Sequence, residues 1–260
     1  MAGTINSLAG DVAIVTGGRR GIGRAIALAF AEAGAAVCIC DIVTQDGKLE
    51  GVAREIEDLG QRSLALGVDI AQKAEVDNMV QRVIAEFGKI DVLVNCAGIW
   101  IPGQTLVECE DDNWDKVINT NLRGTYFCCR AAVREMVNRR RGNIINIASD
   151  LGINPVPGIG AYAVSKAGII MLTKQLALEF GKYRIRVNAI APGMVKTDMN
   201  IEIRSTLEVE RQIASKMVLG RLGEPDDIGK VALYLASDNS DHINGQTIVV
   251  NSGGVIPSLL

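Results

Sequence analysis

Val12-Ala13-Ile14-Val15-Thr16-Gly17-Gly18-Arg19-Arg20-Gly21-Ile22-Gly23 is the stretch that decides the fold. A short run of Val, Ile and Ala reads as a buried strand, and spaced glycines follow it at once. Residues 22–33 then continue with the apolar spacing of a helix. Glycine permits a tight turn and close approach of the backbone to a ligand. The start of a helix adds free N–H groups and the positive end of a dipole. Strand, glycine turn and helix in this order predict a phosphate-binding turn, with Gly17, Arg20, Gly21, Ile22 and Gly23 as its candidate contacts. The glycine spacing is G-x-x-x-G-x-G, not G-x-G-x-x-G.

Further along, the same alternation repeats. Short apolar runs occur at Ala36–Cys40, Ser63–Val68, Val92–Asn95, Asn143–Ala148, Arg186–Ala191 and Thr247–Val250. Helical stretches lie near 46–59, 73–87, 113–139, 161–182 and 225–236. Runs apolar on both faces are how parallel strands covered on both sides read. The expectation is an α/β fold: one doubly wound parallel sheet of seven strands with helices on both faces, as a single domain over 1–260. Residues 194–217 fit no strand, follow Pro192-Gly193 and carry many charges. They are expected to form a lid that is mobile without ligand and orders over the active site.

Composition narrows the function. The 260 residues hold 27 Lys+Arg against 30 Asp+Glu, a net charge of −3, and only 4% aromatics. That argues against nucleic acid as a partner, which calls for a basic excess or stacking aromatics. Hydrophobic residues make up 48%, enough for a large core. No apolar run reaches the roughly 18 residues of a membrane span, and residues 1–11 do not read as a signal peptide. The single histidine, His242, excludes a His-rich metal site, and no metal is expected. The cysteines Cys38, Cys40, Cys96, Cys109, Cys128 and Cys129 form no C-x-x-C pair. They read as free thiols in a reducing compartment, and so as a cytoplasmic protein.

The second strand ends at Asp41, 18 residues beyond Gly23. A carboxylate there can accept hydrogen bonds from the hydroxyls of an adenosine ribose. Tyr162 and Lys166 stand one helical turn apart and share a face. A free tyrosine, with a pKa of about 10, is a poor base at neutral pH. A neighbouring ammonium is expected to lower that value, so that Tyr162 can exchange a proton with an alcohol or ketone oxygen. Ser149, at the end of the fifth strand, is placed to hydrogen-bond the same oxygen.

Together, Thr16-Gly17-x-x-x-Gly21-x-Gly23, Asn95-Cys96-Ala97-Gly98, Asn121, Ser149, Tyr162-x-x-x-Lys166 and Pro192-Gly193 resemble the classical short-chain dehydrogenases/reductases. The resemblance spans about residues 8–254, and the joint order and spacing of these pieces is what makes it specific. It implies a Rossmann-type sheet, NAD or NADP as cofactor, and a homo-oligomer, here expected as a homotetramer. In the family, the two long helices corresponding to 113–139 and 161–182 pair across a two-fold. Phe127, Ile170, Met171, Leu172 and Leu176 are the apolar residues expected to serve that contact.

The resemblance also implies roles by position. Asp69 and Ile70 would bracket the adenine, and Asn95, Ala97 and Gly98 would run along the adenosine. Pro192, Val195 and Thr197 would meet the nicotinamide end. Lys166 would also hold the nicotinamide ribose, and Asn121 would hold a water beside it. Two departures stand out: Cys96 replaces an asparagine, and Val250-Asn251-Ser252-Gly253-Gly254 is one residue longer than the usual Val-Asp-Gly-Gly.

The expected activity is hydride transfer between a nicotinamide cofactor and a secondary alcohol or ketone. A 3-oxoacyl thioester reductase on the same framework and a non-catalytic dinucleotide-binding regulator are the alternatives. The substrate wall is expected from Trp100, Asp150, Leu151, Asn154, Val156 and Met194. NAD is expected over NADP because Asp41 faces the 2′ position. Two like charges 4 Å apart repel by about 4 kcal/mol at an effective dielectric of 20. Arg19 and Arg20 are the residues that oppose this reading. The run Arg139-Arg140-Arg141 reads as a solvated helix end.

Overall fold

The computed structural model describes residues 7–101, 103 and 105–254. Its seven strands are β1 (Val12–Thr16), β2 (Ala36–Asp41), β3 (Ser63–Gly67), β4 (Val92–Asn95), β5 (Gly142–Ile147), β6 (Ile185–Pro192) and β7 (Thr247–Val250). All pair in parallel, in the order β3-β2-β1-β4-β5-β6-β7. The eight α-helices among the described residues are α1 (Gly21–Glu32), α2 (Lys48–Asp58), α3 (Lys73–Phe87), α4 (Asp111–Val117), α5 (Thr125–Arg139), α6 (Gly160–Phe180), α7 (Leu207–Ser215) and α8 (Pro225–Ala236).

Alternation along each strand divides the core in two. Ala13 and Val15 of β1 face Ile26 and Phe30 of α1, Val52 and Ile56 of α2, and Ile228 and Leu235 of α8. Val12 and Ile14 face the other way, with Val76 and Met79 of α3, Cys128 and Ala132 of α5 and Leu176 of α6. The helices therefore cover both faces, which makes this an α/β doubly wound sheet. The strand order turns back between β1 and β4. That leaves a crevice at the carboxyl ends of these strands, where such folds bind ligands.

The sequence suggests one long helix over 113–139. The chain instead runs α4, a π-helical turn at Ile118–Gly124, then α5. One residue too many per turn moves Asn121 inward, where it is fully buried. Phe127 and Leu176 also differ from expectation: both are buried in the subunit's own core, whereas Met171 (62% exposed) and Leu178 (80% exposed) remain on the surface of α6.

A buried polar chain crosses the centre of the sheet. Asn95 Nδ2 donates to Asn146 Oδ1 (2.8 Å), Asn146 Nδ2 donates to Thr173 Oγ1 (2.9 Å), and Thr173 Oγ1 donates to the Ile169 carbonyl (2.8 Å). It links β4, β5 and α6.

At the opposite end of the sheet, Asp91 is 3% exposed and accepts from Val12 N (2.9 Å), Lys89 Nζ (2.8 Å) and Arg139 (2.8 Å). Arg139 is thus a partner of the strand layer, not a solvated helix end. Burial pushes the Asp91 carboxyl up, but the hydrogen bonds from Lys89, Arg139 and Val12 outweigh it and hold the net value below 3.8. Asp91→Ala should cost about 3 kcal/mol of stability, because it strands these donors. The cost stays at the low end because Lys89 and Arg139, 32% and 34% exposed, can turn to water. A carboxyl with a depressed folded-state pKa stabilises above its unfolded value and loses that contribution as pH falls through the folded one. Urea titrations should therefore show the wild-type advantage intact at pH 7 and shrinking below about pH 4. An equal difference at pH 7 and at about pH 2.5 would contradict this.

Candidate active site

A cavity of about 1000 Å³ opens at the carboxyl edge of the sheet, from Asp41 at one end to Asn154 and Val156 at the other. That volume suits a large ligand. Its floor at the first end is the turn after β1. Gly17 and Gly21 take positive φ (67° and 55°), the left-handed region that glycine allows. Arg20 at the start of α1 gives no side-chain cap to the first turn, which leaves those N–H groups to a ligand. A Cβ on Gly17 would lie 2.8 Å from Ala97 Cα, so the glycine lets the β1 and β4 loops touch. Thr16 Oγ1 cements that contact by accepting from Cys96 N (3.0 Å) and Ala97 N (3.1 Å). These bonds involve the backbone at position 96, so the cysteine leaves them intact.

Gly17, Arg20, Gly21, Ile22, Gly23, Asp41, Asp69, Ile70, Ala97, Gly98, Pro192, Val195 and Thr197 all line the cavity. So do Trp100, Asp150, Leu151, Asn154, Val156 and Met194. Asp69 forms a turn of its own, its Oδ1 accepting from Ala71 N (2.9 Å). Asn95 stands elsewhere: its amide is spent on Asn146 and on Cys129 Sγ (3.2 Å), behind the wall. Asn121 also lies behind the wall. Its Oδ1 accepts from Ile99 N (2.8 Å), and its Nδ2 donates to Ile99 O (2.9 Å) and Ser165 Oγ (3.1 Å). It pins the segment after β4 to α6.

Ser149, Tyr162 and Lys166 meet midway along the cavity. Ser149 ends its strand in extended backbone, and its Oγ accepts from Leu151 N (3.2 Å). Lys166 is buried, with Nζ donating to the Ile147 carbonyl (2.7 Å) and standing 5.5 Å from the Tyr162 ring centre. Burial pulls its ammonium down to about 8, against a smaller upward pull from Cys96. Tyr162 departs from the expected direction. Burial pushes its phenol up to about 12, more than the hydrogen bond with Ser149 lowers it. The ammonium expected to lower it is turned to the Ile147 carbonyl.

Next to Ser149, Asp150 is buried, and that burial raises its carboxyl. Asn251 hydrogen-bonds it, which gives the unusual tail a place in the site. The extra residue there is absorbed by a left-handed turn at Ser252 and Gly253 (φ 55° and 76°), closed by Gly253 N donating to Asn251 Oδ1 (3.1 Å).

Residues 194–217 contribute Met199, Asn200, Ile203 and Met217 to the cavity wall. Arg204 ties the segment together through Thr197 O (3.0 Å), Asn200 Oδ1 (2.9 Å) and Glu210 (3.1 Å). Arg20 reaches from the glycine turn to Asp198 (2.7 Å), joining the two lips. Several wall residues carry no sequence signal: Ile42 and Val43 reach the cavity through the loop after β2, Lys116 from the end of α4, and Asn119 and Thr120 through the π-helical turn. His242 is exposed and does not line it.

A family model described as Enoyl-(Acyl carrier protein) reductase matches residues 17–254. The chain is 44% identical to the 3-oxoacyl-(acyl-carrier-protein) reductase FabG of Chlamydia trachomatis, over 95% of this chain and 98% of that one. It is 39% identical to the corresponding protein of Thermotoga maritima, over 96% and 99%. Among solved structures, a carveol dehydrogenase from Mycobacterium avium in complex with NAD superposes with a TM-score of 0.91 at 27% identity, covering 96% of this chain and 99% of that one. A short-chain type dehydrogenase/reductase from Mycobacterium ulcerans gives 0.90 at 31%, covering 95% and 90%. The parallel sheet with helices on both faces agrees with these matches: the chain belongs to the classical short-chain dehydrogenase/reductase family and is an oxidoreductase.

Proposed function

We propose that this oxidoreductase reduces 3-oxoacyl thioesters with NAD(H), with Ser149, Tyr162 and Lys166 as its catalytic residues. The observation that carries the reading is their convergence on one point of a cavity whose other end is a glycine turn and an acidic strand end. A reduced nicotinamide, when bound, would supply the hydride that the carbonyl carbon takes up. Tyr162 gives its proton to the carbonyl oxygen, and Ser149 hydrogen-bonds that oxygen. A phenol held near 12 is protonated at neutral pH and so has a proton to give, although it is a weaker acid than one tuned to the operating pH. Lys166 would hold the ribose, and Asn121 fixes the Ile99 backbone beside it. Asn95 acts in support of the sheet.

The thioester class is favoured over simple ketones by the relatives from Chlamydia and Thermotoga, whose names specify 3-oxoacyl substrates. Such a substrate carries a second carbonyl. The indole N–H of Trp100, a residue of the cavity wall, is buried without an acceptor among the described residues and would be free to donate to it. The test is oxidation of NADH and NADPH, followed by their absorbance, with acetoacetyl thioester against a panel of ketones. Turnover of the ketones alone would replace the substrate class; turnover of none would return the chain to a binding role.

Asp41 and Asp46 together favour NAD(H), because both carboxylates flank the adenosine end. Residues 194–217 serve as the substrate lid. Their hydrogen exchange should slow on adding cofactor and thioester, and equal protection in both states would count against a lid. We assign a homotetramer built on the exposed apolar face of α6, where Met171 and Leu178 lie bare. Light scattering at micromolar concentration should give four times the chain mass, and a monomer would refute it. Free cysteines, four of them buried, suit a reducing cytoplasm. No helix among the described residues is long and apolar enough to cross a membrane.

A further inference from the structure

We propose that Asp46, a residue outside the cavity wall, sets cofactor choice by occupying Arg19. Arg19 is a cavity residue, yet only 8% exposed. Its Nη1 binds Asp46 Oδ2 at 2.5 Å and its Nε lies 3.4 Å from Asp41 Oδ1. Asp46 is itself fixed, because its Oδ1 accepts from Lys48 N (3.2 Å) at the start of α2. Asp41 is fixed likewise by Val43 N donating to Oδ1 (3.0 Å). Both contacts of Asp41 use Oδ1, so Oδ2 remains as acceptor for ribose hydroxyls.

Two carboxylates share one guanidinium, so these three groups together carry one net negative charge. An arginine with a free fork would be a strong ligand for a 2′-phosphate. Here Asp46 holds Nη1 and Asp41 lies against the Nε edge, so the guanidinium is drawn away from a phosphate, and the residual charge of the three groups repels one. Asp46 is therefore a positioning residue: it acts on the cofactor through Arg19. Removing its charge releases the guanidinium while leaving Asp41 in place.

The inference rests on the dinucleotide reading of the site, and direct binding tests it. NAD+ and NADP+ are titrated calorimetrically into wild-type protein, Asp46→Asn, Arg19→Gln and the double variant. In Asp46→Asn the affinity for NADP+ relative to NAD+ should rise about tenfold or more, the scale of one additional charge-assisted hydrogen bond. In the Arg19→Gln background the same substitution should yield far less, since no guanidinium remains to be released. An unchanged ratio in Asp46→Asn would overturn the proposal, as would an equal rise in both backgrounds. The ratio is informative whichever cofactor the wild type prefers. Failure of both nucleotides to bind the wild type would overturn the dinucleotide reading and this inference with it. Asp46 is 34% exposed, and its replacement by the isosteric amide leaves the core untouched.

Discussion

Tyr162→Phe should reduce kcat by at least about 10²–10⁴-fold while leaving nucleotide affinity within about twofold of wild type. Phenylalanine keeps the ring against Lys166 and removes only the hydroxyl. That hydroxyl is the group positioned to move a proton to the substrate oxygen, and Ser149 is its hydrogen-bond partner. No other phenol lines the cavity among the described residues. Steady-state turnover together with calorimetric binding separates chemistry from affinity. Near-normal kcat would mean that the proton comes from elsewhere. A parallel loss of turnover and of nucleotide binding would mean that the hydroxyl serves to hold the nucleotide and not proton transfer alone.

Gly23→Ala should be the most damaging single change in the glycine turn. A Cβ there would stand 2.1 Å from Gly17 O and 2.7 Å from Gly17 C. Both are backbone atoms, so no side-chain rotation relieves the clash. The turn must open, and the N–H groups at the start of α1 move with it. Overpacking of this kind costs about 1–3 kcal/mol. Nucleotide affinity should fall about tenfold or more, since each 1.4 kcal/mol lost is about tenfold. Gly51→Ala in α2 is the matched control: its Cβ would meet nothing within 4 Å, and alanine there should raise Tm slightly. Unchanged binding in Gly23→Ala would show that the turn is not the phosphate site.

Seven strands fall within a residue or two of the apolar runs, because short Val and Ile runs bounded by turns suit strands covered on both faces. The broken helix at 118–124 is not legible in the same way. Ile118-Asn119-Thr120-Asn121-Leu122-Arg123-Gly124 keeps helical spacing, and what widens the turn there accompanies a tertiary tie from Asn121 to Ile99. Spacing places Tyr162 and Lys166 on one face but does not say where the ammonium goes, and the Ile147 carbonyl claims it. Asn95 reads as a cavity residue from its position at a strand end, although its amide turns toward Asn146. Phe127 and Leu176 lie on helices apolar on two faces, and only packing tells which face stays inside. The Arg19 and Asp46 pair joins a glycine turn to a loop 27 residues away, a contact no local pattern announces.

The donor chain from Asn95 through Asn146 to Thr173 has a direction, and that direction limits how the protein can diverge. Each group donates a hydrogen bond to the next, ending on the Ile169 carbonyl, so an apolar residue at Thr173 strands the Asn146 amide, and loss of either asparagine leaves the facing atom of the other only Cys129 Sγ. Replacing one member alone passes through a poorly tolerated intermediate, whereas replacing all three with a packed apolar set need not. The triplet should therefore be inherited as a unit. A mutational scan would show it as strong epistasis among three positions that lie outside the cavity wall.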